Sequence, residues 1–374
     1  MRMVWGVMIA LVLAGCSSAP EKPKPSKLER LATPLDMRVV ERVRLGGDLD
    51  RNGLTPAVDA NGVVAAGSSG RVLLADSRLS PQWEVNLKTD IIGGAGLGAD
   101  AVFVVTAEGE LVSLSRGDGQ ERFRVNLPSA SNVPPVATDT LVFVKTHNGQ
   151  VMAFDVNTGA LVWFEEVAET LMGIQGGAPM HMESGVLRIL WESGRLVSYE
   201  SSSGRIIWER QVALPRGRNP VARIVDSKGA PSERNGLIAT GSRNSQVTVL
   251  DAQSGQLLWS AEADAYSGTV IAFNAVIAVE TDGTVVAYSA QTGETLWAQT
   301  GLKFRELSPP AVAGTAIAVV DLDGYVHLLN PADGSVLGRI RVASAKGQVA
   351  PVMTDQGLLV QTVDGTVSLV EWPR

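Results

Sequence analysis

A short apolar strand that opens with glycine recurs along this chain at intervals of roughly 40 residues, and this repeat constrains the fold more than any other feature. Neighbouring copies start between 38 and 51 residues apart. The eight copies start at Gly70, Gly109, Gly149, Gly194, Ser245, Gly283, Gly324 and Gly365. Self-similarity at such a period is typical of architectures that stack one supersecondary unit many times. The sequence therefore predicts a repeat protein.

Each copy predicts a β-hairpin, as the stretch DVNTGALVW from Asp155 to Trp163 illustrates. Asp155 suits the first position of a turn, and Gly159 supplies the positive φ that lets the chain reverse. The preceding strand, VMAFD, is apolar on both faces, which favours a strand packed between two sheets. Four residues after the turn glycine stands an aromatic residue, which the seventh copy replaces by Gly338: Phe123, Trp163, Trp208, Trp259 and Trp297. We interpret these rings as packing at the seams between neighbouring units.

Four short strands in each of eight units predict an all-β fold, an eight-bladed β-propeller of four-stranded antiparallel blades. The last copy ends at Arg374 without a fourth strand, whereas Met37–Leu45, MRVVERVRL, is a spare strand before the first copy. We predict that this N-terminal strand joins the last blade and closes the ring, since closure removes open sheet edges.

The N-terminus carries the pattern of an export signal. The apolar run of residues 3–13 is too short to span a bilayer, and Leu13-Ala14-Gly15-Cys16 is similar to the bacterial lipobox, in which the cysteine is lipidated. We predict a lipoprotein signal peptide over residues 1–15, a lipidated flexible tether over 16–35 and the propeller over 36–374. The alternative is an ordinary secretory peptide with an incidental cysteine. Cys16 is the only cysteine, so no internal disulfide is predicted.

Charge and histidine placement argue against several functions. A net charge of −7 and a pI near 5.2 argue against nucleic-acid binding. His147, His181 and His327 lie in different repeats without metal-ligand spacing. Residues 94–99, GAGLGA, fit the phosphate-binding pattern G-x-G-x-x-A, but a strand pattern follows where a helix is needed, so we predict an interblade loop. We predict no catalytic, metal-binding or cofactor-binding residue and no enzyme.

Two consecutive repeat spacings, of 45 and 51 residues, are longer than the rest. The extra residues follow Trp163 and Trp208, in connections that lead from an outer strand to the next inner strand and emerge on one face of a propeller. They read ETLMGIQGGAP (169–179) and PRGRNPVARIVDSKGAP (215–231). An apolar centre with charged neighbours is a plausible interface composition. The predicted partner-binding residues are Leu171, Met172, Ile174, Arg223 and Asp226. The alternative is that the apolar residues tuck into the blade rim and the charged ones are solvated.

The repeats resemble the tryptophan-docking, PQQ-type repeats of eight-bladed propellers. Together with the lipobox they are similar to the BamB family, and residues 307–334 (LSPPAVAGTAIAVVDLDGYVHLLNPADG) resemble its seventh blade. The resemblance implies a non-enzymatic scaffold lipoprotein of the β-barrel assembly machinery, anchored on the periplasmic face of the outer membrane. Ser17 after the cysteine fits that location under the enteric sorting rule. The alternatives are a PQQ-dependent periplasmic dehydrogenase, whose adjacent cysteine pair is missing, or another propeller adaptor lipoprotein.

In the family, the two enlarged connections bind the POTRA domains of BamA. The family's first loop carries Leu, Leu and Arg, of which only Leu171 is matched here. Its second loop carries Arg-Leu-x-Asp-x-Asp, and Arg223-Ile-Val-Asp226-Ser-Lys228 keeps the arginine and the first aspartate but reverses the second charge. The resemblance also implies a second role, in which a blade edge pairs with strands of unfolded outer-membrane clients.

Overall fold

The computed structural model describes residues 23–47, 53–167, 177–214 and 225–372. Within these ranges the secondary structure consists of 32 strands, and no helix is long and apolar enough to cross a membrane. The strands form eight four-stranded antiparallel sheets. The predicted all-β, eight-bladed propeller is therefore confirmed.

Seven blades take four consecutive strands each, ordered from the inner to the outer edge. Blade 1 consists of β2 (Ala57–Asp59), β3 (Gly62–Ala66), β4 (Arg71–Ala75) and β5 (Pro81–Asn86), and blade 2 consists of β6 (Ile91–Leu97), β7 (Ala101–Thr106), β8 (Glu110–Ser115) and β9 (Glu121–Asn126). Blade 3 consists of β10 (Val136–Ala137), β11 (Leu141–Lys145), β12 (Gln150–Asp155) and β13 (Leu161–Glu166), and blade 4 consists of β14 (His181–Glu183), β15 (Val186–Leu190), β16 (Arg195–Glu200) and β17 (Ile206–Gln211). Blades 5 to 7 are built from β18 (Ser232–Arg234), β19 (Leu237–Gly241), β20 (Ser245–Asp251), β21 (Leu257–Ala263); β22 (Thr269–Ala272), β23 (Ala275–Val279), β24 (Val285–Ser289), β25 (Thr295–Gln299); and β26 (Ala311–Ala313), β27 (Ala316–Val320), β28 (Tyr325–Leu329), β29 (Val336–Arg341). Blade 8 combines β30 (Val352–Met353), β31 (Leu358–Gln361) and β32 (Thr366–Glu371) with β1 (Arg38–Arg44).

The two middle strands of each blade are buried on both faces, whereas the outer strands are largely exposed. All six residues of β7 are buried, while the outer strand β9 of the same blade has none that is fully buried. The core accordingly lies between blades: Phe103 of blade 2 packs in one cluster with Val142 and Phe154 of blade 3. This arrangement confirms the prediction that the apolar middle strands are packed between sheets.

The recurring tryptophans join neighbouring blades at several seams. The indole Nε1 of Trp163 donates to the carbonyl of Ser201 at 2.9 Å, and the ring lies against Gly204 in the following blade. A Cβ on Gly204 would stand 2.7 Å from Trp163 Cε3. The same pair recurs as Trp208 with Gly255, Trp259 with Gly293 and Trp297 with Gly334. The turn therefore requires glycine for two reasons: the residue has a positive φ, and the tryptophan ring lies too close for a Cβ.

The N-terminal strand closes the ring as predicted. β1 pairs antiparallel with β32, from Arg38 opposite Glu371 to Arg44 opposite Thr366. At the seam between blades 7 and 8 a glycine stands where the other blades have a large aromatic residue. Gly338 occupies the strand position that holds the tryptophan elsewhere, and a Cβ on Gly338 would lie 2.9 Å from Met37 Sδ. Met37 thus takes the space that a tryptophan fills elsewhere, which explains why the seventh copy breaks the aromatic pattern.

Two parts of the chain differ from the sequence-based expectation. Residues 94–97 are not an interblade loop but belong to the inner strand β6, so that prediction was wrong. A Cβ on Gly96 would lie 2.6 Å from the carbonyl oxygen of Pro135, so the glycines allow close packing of blade 3 against this strand. The expected flexible tether over 16–35 lies against the propeller in its described part, where the Leu35 amide donates to the Leu337 carbonyl at 2.9 Å.

We expect Gly204→Ala to destabilise the protein more than Gly236→Ala. Both glycines have a positive φ, +74° and +76°, so alanine costs about 1 kcal/mol at either site. Only at Gly204 does the added methyl group also meet a tryptophan ring, and overpacking adds about 1–3 kcal/mol. The midpoints of urea denaturation measure the difference. Equal losses of stability in both variants would contradict tight packing of the tryptophan ring on Gly204.

Candidate partner-binding face

The connections that lead from an outer strand to the next inner strand meet around one central opening. Residues of the inner strands, or just before them, line a cavity of about 370 Å³ there. They come from seven blades: Pro56, Gly96, Pro135, Pro179, Ala230, Pro309 and Ala350. Because the described ends of both enlarged connections, Pro179 and Lys228, line this same opening, the two connections emerge on one face. We call this side of the propeller the connection face.

Most of the predicted partner-binding residues lie outside the described part of the chain. Leu171, Met172 and Ile174 fall in residues 168–176, and Arg223 falls in residues 215–224. The predicted lipidation site, Cys16, is also outside it. Asp226 is the one such residue that the structure places. The role of all these residues in partner binding stays a prediction.

A buried ion pair forms the base of the first enlarged connection. Lys145 Nζ donates to Glu192 Oε1 at 2.9 Å and to the Leu190 carbonyl at 3.3 Å, and it lies 5.2 Å from the centre of the Trp191 ring. Gly177, where the described chain resumes, lies directly over this pair, since a Cβ there would be 1.8 Å from Glu192 Oε1. The sequence analysis missed these residues, although Lys145 ends the otherwise apolar strand β11 and Glu192 stands in the turn after β15.

Asp226 forms the base of the second enlarged connection and is only 2% exposed. Its Oδ1 lies 3.6 Å from Arg243 Nε, and its carbonyl accepts from the Arg243 amide at 2.9 Å. The Arg243 guanidinium stacks 3.9 Å from the centre of the Tyr266 ring and keeps part of its surface in solvent. Of these two charged side chains, the arginine is therefore the exposed one. The sequence signal for Arg243 was the turn S-R-N-S, in which Ser245 replaces the usual glycine and Asn244 takes a positive φ of 52°.

Lys228, where the resemblance implied an aspartate, is mostly buried and lines the central cavity. Its amide donates to the Tyr266 carbonyl at 2.8 Å. The adjacent Gly229 packs on the backbone of Gly268, where a Cβ would come within 2.9 Å. This part of the connection is thus fixed against blade 6.

The three histidines lie apart, each beside a different polar partner. His147 Nε2 faces Asn132 Oδ1 at 2.8 Å, and His181 Nε2 lies 3.4 Å from Glu233 Oε2. His327 is fully buried on β28, with Nε2 2.9 Å from Asp321 Oδ2. Among the described residues no group of three or more His, Cys, Asp and Glu side chains could hold a metal ion.

We expect the stability of the protein to fall as the pH drops below about 6.5. Burial, together with Arg339 and Arg305, holds the pKa of His327 below its ordinary value of 6.5, although Asp321 acts in the opposite direction. In the unfolded chain His327 therefore takes up a proton first, which costs the fold up to about 1.4 kcal/mol per pH unit until the folded pKa is reached. His327→Gln should flatten this slope in urea denaturation series from pH 7 to pH 5. An unchanged slope would contradict a buried neutral imidazole.

Comparison with known proteins identifies the family of the chain. The family model described as "Outer membrane protein assembly factor BamB" matches residues 68–299 and 281–371. The chain belongs to this family. The outer membrane protein assembly factor BamB of Pseudomonas aeruginosa is 31% identical to it over 94% of both chains. The crystal structure of BamB from Moraxella catarrhalis superposes with a TM-score of 0.82 at 29% identity, over 90% of this chain and all of that one.

The quinohemoprotein alcohol dehydrogenase of Comamonas testosteroni shares the fold of this family member and no more. It superposes with a TM-score of 0.67 at 13% identity, and the match covers 91% of this chain and 78% of the dehydrogenase. Such low identity carries no argument about activity.

Proposed function

We propose that this protein is a non-enzymatic assembly factor of the outer membrane, a scaffold of the β-barrel assembly machinery that docks on the POTRA domains of BamA. The observation that carries the proposal is its membership of the BamB family over almost its whole length. In this role the protein assists the folding and insertion of β-barrel proteins without chemistry of its own.

The connection face suits docking because rigid blades hold the bases of both enlarged connections. The Lys145–Glu192 pair fixes one base and the Asp226–Arg243 contact fixes the other. The sequence of the first enlarged connection contains the apolar residues Leu171, Met172 and Ile174, and the base of the second presents the partly exposed guanidinium of Arg243. Arginine is one of the residue types that interface hot spots favour.

The proposed location is the periplasmic face of the outer membrane, with Cys16 as the lipidated residue. The acyl chains would hold the protein because each buried CH₂ group contributes about 0.8 kcal/mol. A Cys16→Ala variant tests this anchor: it should lose incorporation of labelled palmitate and leave the membrane fraction.

Capture of BamA from detergent-solubilised outer membranes tests the docking proposal. Leu171→Asp and Ile174→Asp should each reduce capture about tenfold or more, since a hot-spot residue contributes about 2 kcal/mol or more. Phe273→Asp is the matched control, because Phe273 is exposed in the turn between β22 and β23, on the opposite face. Asp226 is unsuitable for this test, because reversing a buried charge also damages the fold. Full capture by both variants would reject docking at the connection face.

A second role, pairing with unfolded client strands, is favoured by apolar residues on the outer edges of blades 3 to 6. Each has 41% to 55% of its surface exposed: Leu161, Val162, Ile206, Ile207, Leu257, Leu258 and Leu296. The outer strands also offer free backbone groups for β-augmentation. A photo-crosslinker at Leu258 should capture an unfolded β-barrel protein, whereas one at Arg122 on the charged outer strand of blade 2 should not. Equal yields would reject this role.

A further inference from the structure

The backbone of Ser26 is held from both sides by the connection between blades 6 and 7. Its amide donates to the Lys303 carbonyl at 2.9 Å, and its carbonyl accepts from Arg305 Nη1 at 3.0 Å. Arg305 is buried and also binds two carboxylates, Asp321 through Nε at 2.7 Å and Asp323 through Nη2 at 2.6 Å. Because two carboxylates orient this guanidinium, the hydrogen bond it offers to Ser26 is fixed in place.

The residues that follow are docked along the outer strand of blade 7. Leu28 packs against the core cluster shared by blades 6 and 7. Arg339 Nη2 donates to the Glu29 carbonyl at 2.7 Å, and Leu35 pairs with the backbone of Leu337. Residues 26–37 therefore form a strap that belongs to the propeller, where the Pro-rich composition of the segment predicted a tether.

The strap carries the chain from one face of the propeller to the other. β1 begins at Arg38, opposite Glu371 at the far end of β32 from the connection face. Ser26, in contrast, is held by Lys303 and Arg305, which belong to the outer-to-inner connection between β25 and β26. The residues that end this connection line the central opening through Pro309, as those of the enlarged connections do. The chain toward the N-terminus therefore leaves the strap on the connection face.

The docked strap shortens the chain that can reach a membrane. Ser26 lies 10 positions after Cys16, whereas Arg38, where β1 begins, lies 22 positions after it. Fully extended, the shorter segment spans at most about 35 Å and the longer one about 75 Å. A free tether would let the propeller turn either face to the membrane, but a short one that starts on the connection face does not.

We propose that the strap of residues 26–37 orients the protein on a lipid surface, holding the connection face toward the bilayer within about 35 Å of it. The proposal rests on the proposed lipidation of Cys16. It places the partner-binding connections on the membrane side. The opposite face, which carries the turn glycines that contact the tryptophan rings, points into the periplasm.

Energy transfer in proteoliposomes tests this orientation with the mature lipidated protein. A donor dye is attached at Thr281→Cys, in the turn between β23 and β24 on the connection face, or at Ala332→Cys, in the turn between β28 and β29 on the opposite face; both side chains are exposed. The acceptor dye is carried by lipid headgroups. Transfer should be at least about twofold more efficient from position 281 than from position 332, because strands of five or six residues put the two faces about 17–20 Å apart.

Two strap variants separate docking from charge. Leu28→Asp places a carboxylate against the apolar cluster of blades 6 and 7 and should release the strap, so that the difference between the two dye positions disappears. Lys27→Asp introduces the same carboxylate at an exposed neighbour and should preserve the difference. Thermal melting of both variants checks that the propeller stays folded.

Equal transfer from both positions in the unaltered strap would overturn the proposal, as would a folded Leu28→Asp variant that keeps the full difference. Failure of the protein to float with the vesicles would overturn the lipid anchoring on which the orientation depends. Hydrogen exchange then tests whether the strap is docked on the propeller. Slow exchange of the Ser26 and Leu35 amides supports docking, and fast exchange rejects it.

Discussion

Trp259→Ala should lower the free energy of unfolding by about 3–5 kcal/mol, the cost of deleting a large buried aromatic side chain. Trp259 is 9% exposed, packs on Gly293 of the next blade and donates from Nε1 to the Ala290 carbonyl at 2.9 Å. The truncation leaves a cavity at the seam between blades 5 and 6, and the closed ring limits how far the blades can collapse into it. Urea denaturation followed by tryptophan fluorescence measures the loss.

Two further variants separate the contributions of the ring. Trp259→Phe keeps most of the packed area but removes the hydrogen bond, so it should cost about 1 kcal/mol for that bond and somewhat more for the smaller ring. Leu258→Ala, at the neighbouring position with 48% of its surface exposed, should cost less than about 1 kcal/mol. If Trp259→Ala were no worse than Leu258→Ala, the aromatic repeat would not be what holds the blades together.

The number of blades, their strand count and the closure by the N-terminal strand were all predictable, because each rests on a local pattern that recurs. A turn glycine and an aromatic residue four positions later, as in Gly159 and Trp163, fix the hairpin and the seam together. The break at Gly338 was visible but could not be explained, since the residue that replaces the tryptophan, Met37, lies 301 positions away in the chain.

Contacts between residues that are far apart in the chain also explain what the sequence analysis missed at the candidate site. Lys145 and Glu192 belong to different blades, and no periodic pattern links a lysine at the end of one strand to a turn 47 residues later. Asp226 was predicted to bind a partner because it lies among the charged residues of the second enlarged connection, yet it is buried beside Arg243 from another turn. The strap was read as a tether because its composition is polar and Pro-rich, whereas backbone hydrogen bonds, which composition does not reveal, dock it.

Removing one member of the Lys145–Glu192 pair should be among the most damaging single changes in the protein. Lys145 and Glu192 have only 2% and 8% of their side-chain surfaces exposed, so Lys145→Met leaves a carboxylate buried without its cation, at a cost of about 3–5 kcal/mol. The matched control is Arg205→Met, because Arg205 and Glu200 form an ion pair with 66% and 41% exposure. Exposed pairs contribute at most about 1 kcal/mol, so this control should be nearly neutral in urea denaturation.

The double variant Lys145→Met with Glu192→Leu distinguishes the pair's two roles. Two apolar side chains remove both buried charges, so most of the stability lost in the single variants should return. Capture of BamA should nevertheless stay reduced, because Gly177 at the end of the first enlarged connection rests on this pair and its path would shift. A double variant that is stable and captures BamA fully would show that the pair serves folding alone. One that is as unstable as the single variants would show that packing, rather than the unpaired charge, sets the cost.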